Sequence, residues 1–236
     1  MSGILSVVAT PIGNLEDITL RALRVLREAD AVACEDTRVG GHLLSLLNLP
    51  PKPLISIHQH SEDHSISSTI ERIQNGERIA YISDAGTPNV NDPGGKLVEA
   101  AYAADCEIET IPGASAVTAA IAVCGFPMEH FRYLGFIPLK KHRASTLATI
   151  GTESDASIFF ESTHRIEKTM NELAKTLQQD RIIYLGRELT KKFETHYRGT
   201  IREVLEKLAQ GSLKGEFVCI VGPMTRIKDP SRRREA

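Results

Sequence analysis

Three turns containing glycine and proline stand directly after strand-like runs in the first half of the chain. They are Thr10-Pro11-Ile12-Gly13-Asn14-Leu15, Ser83-Asp84-Ala85-Gly86-Thr87-Pro88 and Ile111-Pro112-Gly113-Ala114-Ser115-Ala116. In an open α/β sheet, loops at the carboxyl ends of strands converge on one crevice, and ligands bind there. Small residues and fixed proline φ angles let backbone N–H and C=O groups come close to such a ligand. One such turn is ordinary punctuation. Three in the same relation to three strands predict a shared binding edge.

What these turns lack excludes other chemistries. There is no Gly-x-Gly-x-x-Gly and no Gly-x-x-x-x-Gly-Lys, so neither a dinucleotide fingerprint nor a P-loop is present. Gly113-Ala114-Ser115-Ala116 half-matches a nucleophile elbow, but Val117 stands where the closing glycine belongs, so Ser115 reads as a helix cap. His58, His60 and His64 could be arranged as metal ligands. Glu62 and Asp63 lie nearby, yet no convincing ligand set is completed. These histidines read as solvated, and no metal is expected.

Charged runs follow other strand-like segments. They are Glu35-Asp36-Thr37-Arg38, Glu161-Ser162-Thr163-His164-Arg165, and Gly186-Arg187-Glu188-Leu189-Thr190-Lys191-Lys192-Phe193-Glu194. Lys140-Lys141-His142-Arg143 is a basic loop of the kind that neutralises phosphates. Charged strand ends are also commonly just solvated, so each run keeps that plainer reading beside the functional one.

The elements that must position these residues alternate. Ile4–Thr10, Ala31–Cys34, Leu54–Ile57, Arg78–Ser83 and Cys106–Ile111 are strand candidates interleaved with helical patterns, which predicts βαβ units and a parallel sheet. Asp17 is a candidate cap for a helix with Ile18, Leu20, Leu23, Val25 and Leu26 on its apolar face; a second helix covers Ser67–Gln74. The pattern restarts near Phe131, with strands at Arg132–Ile137, Ser157–Phe160, Arg181–Leu185 and Glu216–Val221. Helices are expected over Arg143–Ile150, Ile166–Leu177 and Ile201–Leu208. Two α/β domains are therefore expected, over residues 1–124 and 125–227, followed by a basic tail, 228–236, expected to be disordered.

At 236 residues, 42% hydrophobic and 25% charged, the chain has the composition of a globular protein, and wholesale disorder is excluded. No apolar run approaches the ~20 residues that cross a bilayer. The start, Met1-Ser2-Gly3-Ile4-Leu5, lacks the features of a signal peptide, so a cytoplasmic protein with no membrane association is expected. Cys34, Cys106, Cys124 and Cys219 stand far apart, read as buried free thiols, and form no Cys-x-x-Cys pair. The net charge of −2 excludes a globally basic nucleic-acid binder, leaving local patches as the only route to a polyanion. The absence of Trp and the scarcity of other aromatics argue against a stacking platform of the RRM or single-strand-binding kind.

Taken in order, the Thr10–Thr19 segment, Glu35-Asp36-Thr37-Arg38, the Ser83–Pro88 turn and Asp92-Pro93-Gly94 resemble the tetrapyrrole-methylase superfamily. Within it they are similar to the branch that methylates a cytidine ribose 2′-oxygen in 16S ribosomal RNA. Gly135-Phe136-Ile137-Pro138, Glu161-Ser162-Thr163-His164-Arg165, Arg187-Glu188-Leu189-Thr190-Lys191 and Lys214-Gly215-Glu216 extend the resemblance almost to the C-terminus. Asn89-Val90-Asn91 and Cys124-Gly125-Phe126 depart from the pattern locally.

The resemblance implies a two-domain α/β, class III methyltransferase fold with the cofactor cleft between the domains. It implies S-adenosylmethionine (SAM) as cofactor, 16S rRNA or the small ribosomal subunit as partner, and a homodimer. By matching motif positions it places Ile12, Ala85, Gly86, Thr87, Val90, Ser115, Ala116 and Gly186 at the cofactor. Proton removal from a ribose hydroxyl then needs an acceptor. Glu35, Asp36 and Glu188 are carboxylates able to accept, and Lys191 could act as base or as an anion stabiliser. Arg38, Lys140, Lys141, Arg143, Arg165, Arg187 and Lys192 are expected to anchor phosphates. A tetrapyrrole or other small-molecule methylase, and a non-catalytic nucleotide- or RNA-binding module, are the alternatives.

Overall fold

A computed structural model describes residues 3–57, 63–91 and 94–224. His58, Gln59, His60, Glu62, Asp92, Pro93 and the basic tail lie outside the described residues. The chain divides into two compact units between Ala119 and Ala120.

The first unit carries β1 (Ile4–Val8), α1 (Leu20–Glu28), β2 (Ala31–Cys34), α2 (Thr37–Leu46), β3 (Leu54–Ser56), α3 (Asp63–Gln74), β4 (Arg78–Ile82), α4 (Gly95–Ala103) and β5 (Glu107–Ile111). α5 (Ala116–Cys124) runs across the division. All strand pairs are parallel, in the order β3-β2-β4-β1-β5. Both faces of such a sheet must be covered, which is why β2 is buried at every position and β4 at all but its first. Val25, Leu26 and Leu44 of α1 and α2 pack with Val8, Val32 and Ile82 on one face. Ile66, Ile70, Ile73, Leu97 and Ala101 of α3 and α4 pack with Leu5, Ala33 and Tyr81 on the other.

That division of helices fixes which edge of the sheet could take a ligand. The connections leaving β1 and β2 run over one face and those leaving β3 and β4 over the other, so the neighbours β4 and β1 part to opposite faces at their carboxyl ends. Reversal points of this kind are where open α/β sheets take ligands. In the register, Cys34, Ile82, Val8 and Ile111 stand in one row, so the segments after β2, β4, β1 and β5 all emerge at one level.

Several expectations are corrected here. α1 is capped by Thr19, whose Oγ1 accepts from the Ala22 N–H at 3.0 Å; Asp17 ends a short 3-10 helix, Leu15–Asp17, capped by Asn14. Helices α2 and α4 were not foreseen. The adjacent Gly40 and Gly41 weaken the helical signal of α2. Gly40 is there for close packing, since a Cβ on it would stand 2.8 Å from Cys34 Sγ.

The second unit carries β6 (Phe131–Phe136), α6 (Arg143–Thr152), β7 (Ala156–Ser162), α7 (Ile166–Leu173), β8 (Ile182–Arg187), β9 (Thr195–Thr200), α8 (Ile201–Gln210) and β10 (Glu216–Val221). The strand order is β6-β7-β10-β8-β9, parallel between β6 and β7 and antiparallel at the other three pairings. Leu147, Ile150, Met170, Leu173, Val204 and Leu208 from the three helices close the core over Phe159, Leu185 and Phe217. The run Thr200-Ile201-Arg202-Glu203 starts α8 with a reciprocal capping box. Because β7 and β8 both run antiparallel to β10, their carboxyl ends share one edge, with Glu161 and Arg187 in register on either side of Phe217. β9 was not foreseen: in Thr-His-Tyr-Arg-Gly-Thr only Tyr197 is buried.

Candidate active site

The three turns of the first unit are joined at the carboxyl edge of the sheet. Thr10 and Gly86 exchange backbone hydrogen bonds at 2.9 and 3.1 Å, tying the first turn to the second. Thr87 Oγ1 donates to the Ala114 carbonyl at 3.0 Å, tying the second to the third. Gly86 has φ +84°, and a Cβ there would meet Ile12 Cγ2 at 3.1 Å and the Ala114 oxygen at 3.7 Å. Ala85 is exposed, while Ile12, Thr87, Val90, Ser115 and Ala116 are half-buried around this junction. Ser115 immediately precedes α5, and its carbonyl accepts from the Ala119 N–H.

The Glu35–Arg38 run joins the same edge. Asp36 N–H donates to Asp84 Oδ1 at 3.4 Å, linking the ends of β2 and β4. Asp36 caps α2 by accepting from the Arg38 N–H at 2.8 Å, and its two oxygens also take the Arg38 guanidinium at 3.0 and 2.6 Å. These bonds hold the Asp36 carboxyl down at about 2. Glu35 is half-buried, and its carbonyl accepts from Ser56 Oγ. Burial, with Asp84 and Asp36 adding to it, pushes the Cys34 thiol up to about 11, which makes it unreactive at neutral pH. Cys124 and Cys219 are buried as free thiols, whereas Cys106 is only half-buried.

In the second unit, three arginines expected to anchor phosphates are engaged internally. Arg143 is 8% exposed; it binds Glu172 Oε2 through Nε at 2.8 Å and Nη2 at 2.6 Å, and also donates to Thr169 Oγ1 and the Pro138 carbonyl. Arg165 pairs with the buried Glu161 at 3.2 Å and donates to the Ile137 carbonyl. Glu161 also accepts from Thr169 Oγ1 at 2.7 Å. Arg187, also buried, donates to the carbonyls of Lys214 and Phe193 at 2.6 and 3.0 Å. Arg38, Lys140, Lys141 and Lys192 are the members of the expected set left exposed.

The segment after β8 is tightly laced. Lys191 Nζ sits 3.1 Å from Glu188 Oε1 and 2.9 Å from Glu216 Oε2, and Glu188 Oε1 accepts from the Glu216 N–H at 2.9 Å. Burial works against the Glu188 charge, but the Glu216 N–H and the Lys191 ammonium outweigh it and hold the carboxyl below its usual range. Burial likewise opposes the Lys191 ammonium, and its two carboxylate partners outweigh that and raise its pKa. Lys191 is thus a held ammonium and not a neutral base.

A second relay was not expected from the sequence. Tyr184 Oη stands 2.8 Å from His196 Nδ1, and His196 Nε2 stands 2.9 Å from Glu194 Oε1. Glu194 also accepts from the Thr190 N–H. Burial, reinforced by the Glu194 charge, pushes the Tyr184 phenol well above its usual value. The space left by Gly186 is filled by this relay: a Cβ there would meet Tyr184 Oη at 2.7 Å and Leu189 Cδ2 at 2.8 Å. Tyr184 and Gly186, two apart on one strand, were the available signal. No group able to hold a metal ion occurs among the described residues. No described helix is long and apolar enough to cross a membrane.

The family of tetrapyrrole (corrin/porphyrin) methylases matches residues 5–205. A protein of Haemophilus influenzae named ribosomal RNA small subunit methyltransferase I is 42% identical over 94% of this chain and 79% of its own length. Its namesake in Pasteurella multocida is 41% identical over the same shares. The solved structure of diphthine synthase superposes with a TM-score of 0.72 at 16% identity, covering 94% of this chain and 90% of that one.

Proposed function

As the chain belongs to the family of tetrapyrrole (corrin/porphyrin) methylases, we propose that it methylates the 2′-oxygen of a cytidine ribose in the 16S rRNA of the small ribosomal subunit. The fold is that of the class III methyltransferases, and the enzyme is SAM-dependent. The observation that carries the substrate is the identity above 40% to two small-subunit rRNA methyltransferases along 94% of this chain.

The donor set at the carboxyl edge of the first sheet suits SAM. Ile12, Ala85, Gly86, Thr87, Val90, Ser115 and Ala116 offer small side chains and backbone groups where a Cβ at residue 86 would fill the space. Asp84, next to Ala85, places negative charge beside them, favourable to a sulfonium. Bound there, SAM supplies an activated methyl electrophile. At Gly186, the further residue assigned to the cofactor, only the backbone is open to a ligand, since Tyr184 and Leu189 occupy its Cβ side.

The chain's own residues must orient the ribose and take its proton. Glu35, Asp36 and Glu188 are the carboxylates assigned to that step, and the low pKa values of Asp36 and Glu188 make those two weak acceptors. Lys191, held protonated, would instead stabilise developing negative charge on oxygen. Arg38, Lys140, Lys141 and Lys192 would hold phosphates. With a net charge of −2, a homodimer that pools these cations in the cytoplasm completes the reading.

Tritiated-methyl transfer from SAM tests it, on isolated small subunits and on naked 16S rRNA. The expected result is label in an alkali-resistant dinucleotide containing cytidine. Label in neither RNA substrate, or transfer to a tetrapyrrole instead, overturns it.

A further inference from the structure

We propose that Phe193, at the tip of the Glu188–Glu194 segment, is a stacking surface for an unpaired RNA base, with Lys192 beside it meeting the adjoining phosphate. The proposal rests on the rRNA reading above and names the contact by which this loop would recognise its substrate.

The loop is held on every side. Glu188 and Thr190 both have positive φ, at 50° and 65°, and the second is a β-branched residue in a region that such residues rarely adopt. Strain of that kind persists only where surroundings over-determine it, and it gathers at functional sites. Here Lys191 bridges Glu188 and Glu216. Glu194 takes the Thr190 N–H and the His196 imidazole, which Tyr184 braces from below. The Phe193 carbonyl accepts from buried Arg187 at 3.0 Å and from Thr195 Oγ1 at 3.1 Å.

Of the three cations in Arg187–Glu194, Arg187 is taken by carbonyls and Lys191 by carboxylates, while Lys192 meets the Phe193 ring. Phe193 is 63% exposed, with Lys192 Nζ over its ring at 5.7 Å from the centre. A backbone so constrained, presenting an exposed aromatic ring and one cation, fits a base and its phosphate. Single-stranded RNA is recognised in this way, by aromatic faces on which splayed bases stack. Because the backbone is already fixed, little ordering entropy remains to be lost on binding.

The test uses the full chain and two fluorescein-labelled probes: a short unstructured cytidine-rich RNA and the same sugar–phosphate backbone with abasic sites. Phe193→Ala is expected to weaken binding of the base-bearing RNA by about 5- to 150-fold, leave the abasic backbone unaffected, and be rescued by Phe193→Trp. Lys192→Met should weaken both probes and lower the salt slope by about 0.7. Melting temperature should be unchanged in Phe193→Ala. Equal loss on both probes, no loss on either, or loss of a dimer in sedimentation without a change in the ratio of the two affinities overturns the proposal. Wild-type protein that methylates 16S rRNA while Phe193→Ala behaves like it overturns the stacking assignment alone. Wild-type protein that binds neither probe and methylates no rRNA overturns the functional reading, and this assignment with it.

Discussion

Thr10 and Gly86 exchange two backbone hydrogen bonds across the carboxyl ends of β1 and β4, at 2.9 and 3.1 Å. This pair converts two separate turns into one surface, and it depends on a backbone conformation, φ +84°, that L side chains rarely adopt. Gly86→Val is expected to lower SAM affinity at least tenfold, because the new side chain meets Ile12 and strains the turn. Titration calorimetry reads the affinity, with thermal melts recording the accompanying loss of stability. Wild-type affinity in this variant would remove the turns from the cofactor site.

The buried arginines and the exposed lysines separate cleanly by mutation. Removing Arg143 takes the guanidinium from Glu172, which keeps Lys168 at 4.0 Å, and a donor from the buried Thr169, so Arg143→Ala should cost about 1–3 kcal/mol of stability. Lys140→Ala and Lys141→Ala, at exposed positions, should leave stability within about 0.5 kcal/mol while reducing the salt dependence of RNA binding. Denaturant melts and salt titrations distinguish the two classes. A stable Arg143→Ala protein with weakened RNA binding would restore the phosphate-anchor assignment.

How much of this was legible in the sequence follows from where each constraint lives. Ala31–Cys34 and Arg78–Ile82 could be read because strands covered on both faces are almost continuously apolar. The convergence of the three turns followed from parallel topology alone. The roles of Arg143, Arg165 and Arg187 did not, because whether a guanidinium meets solvent or a carbonyl is decided by Thr169, Ile137 and Lys214, each at least 26 positions away in the chain. The Tyr184–His196 contact was hidden for the same reason, being set by the β8–β9 register. Asp17 looks like the cap of α1, but it is taken up in a 3-10 turn that the local pattern does not announce, and Thr19 caps the helix instead.

The Glu188–Lys191–Glu216 network carries a pH dependence of defined sign. Glu188 has a lowered pKa when folded, so its contribution is present above the ordinary carboxylate value and is lost as pH falls through the lowered one. Lys191 has a raised pKa, so its contribution is full below the ordinary lysine value and is lost as pH rises through the raised one. Lys191→Met should therefore lower the melting temperature by about 2–4 °C at neutral pH, the scale of a partly exposed pair, and by less near pH 3. If Lys191 also stabilises oxygen charge in the reaction, single-turnover rates in Lys191→Met fall by about 10²–10³-fold without a matching loss of SAM affinity. Rates within a few-fold of wild type would confine Lys191 to the ion pair.

His196 offers a sharper test of the loop, because its tautomer is dictated by its neighbours. With the Glu194 carboxylate facing Nε2 at 2.9 Å, the neutral imidazole carries its proton on Nε2, and Nδ1 accepts from the Tyr184 hydroxyl at 2.8 Å. Glu194→Gln keeps the shape and changes the chemistry. The Thr190 N–H needs an oxygen, so the amide oxygen turns toward it and the NH₂ group faces His196. An NH₂ can only donate there, which requires the proton to move to Nδ1 and the Tyr184 hydroxyl to turn away from its acceptor. Nitrogen-15 NMR of the neutral imidazole should show the Nε2–H form in wild type and the Nδ1–H form in Glu194→Gln. The turned phenol is buried, so the variant should also lose about 1–3 kcal/mol of stability for an unmade hydrogen bond. A His196 that keeps its Nε2 proton in Glu194→Gln would mean that Glu194 does not set this relay and that the loop tip is held by the Lys191 bridge and Arg187 alone.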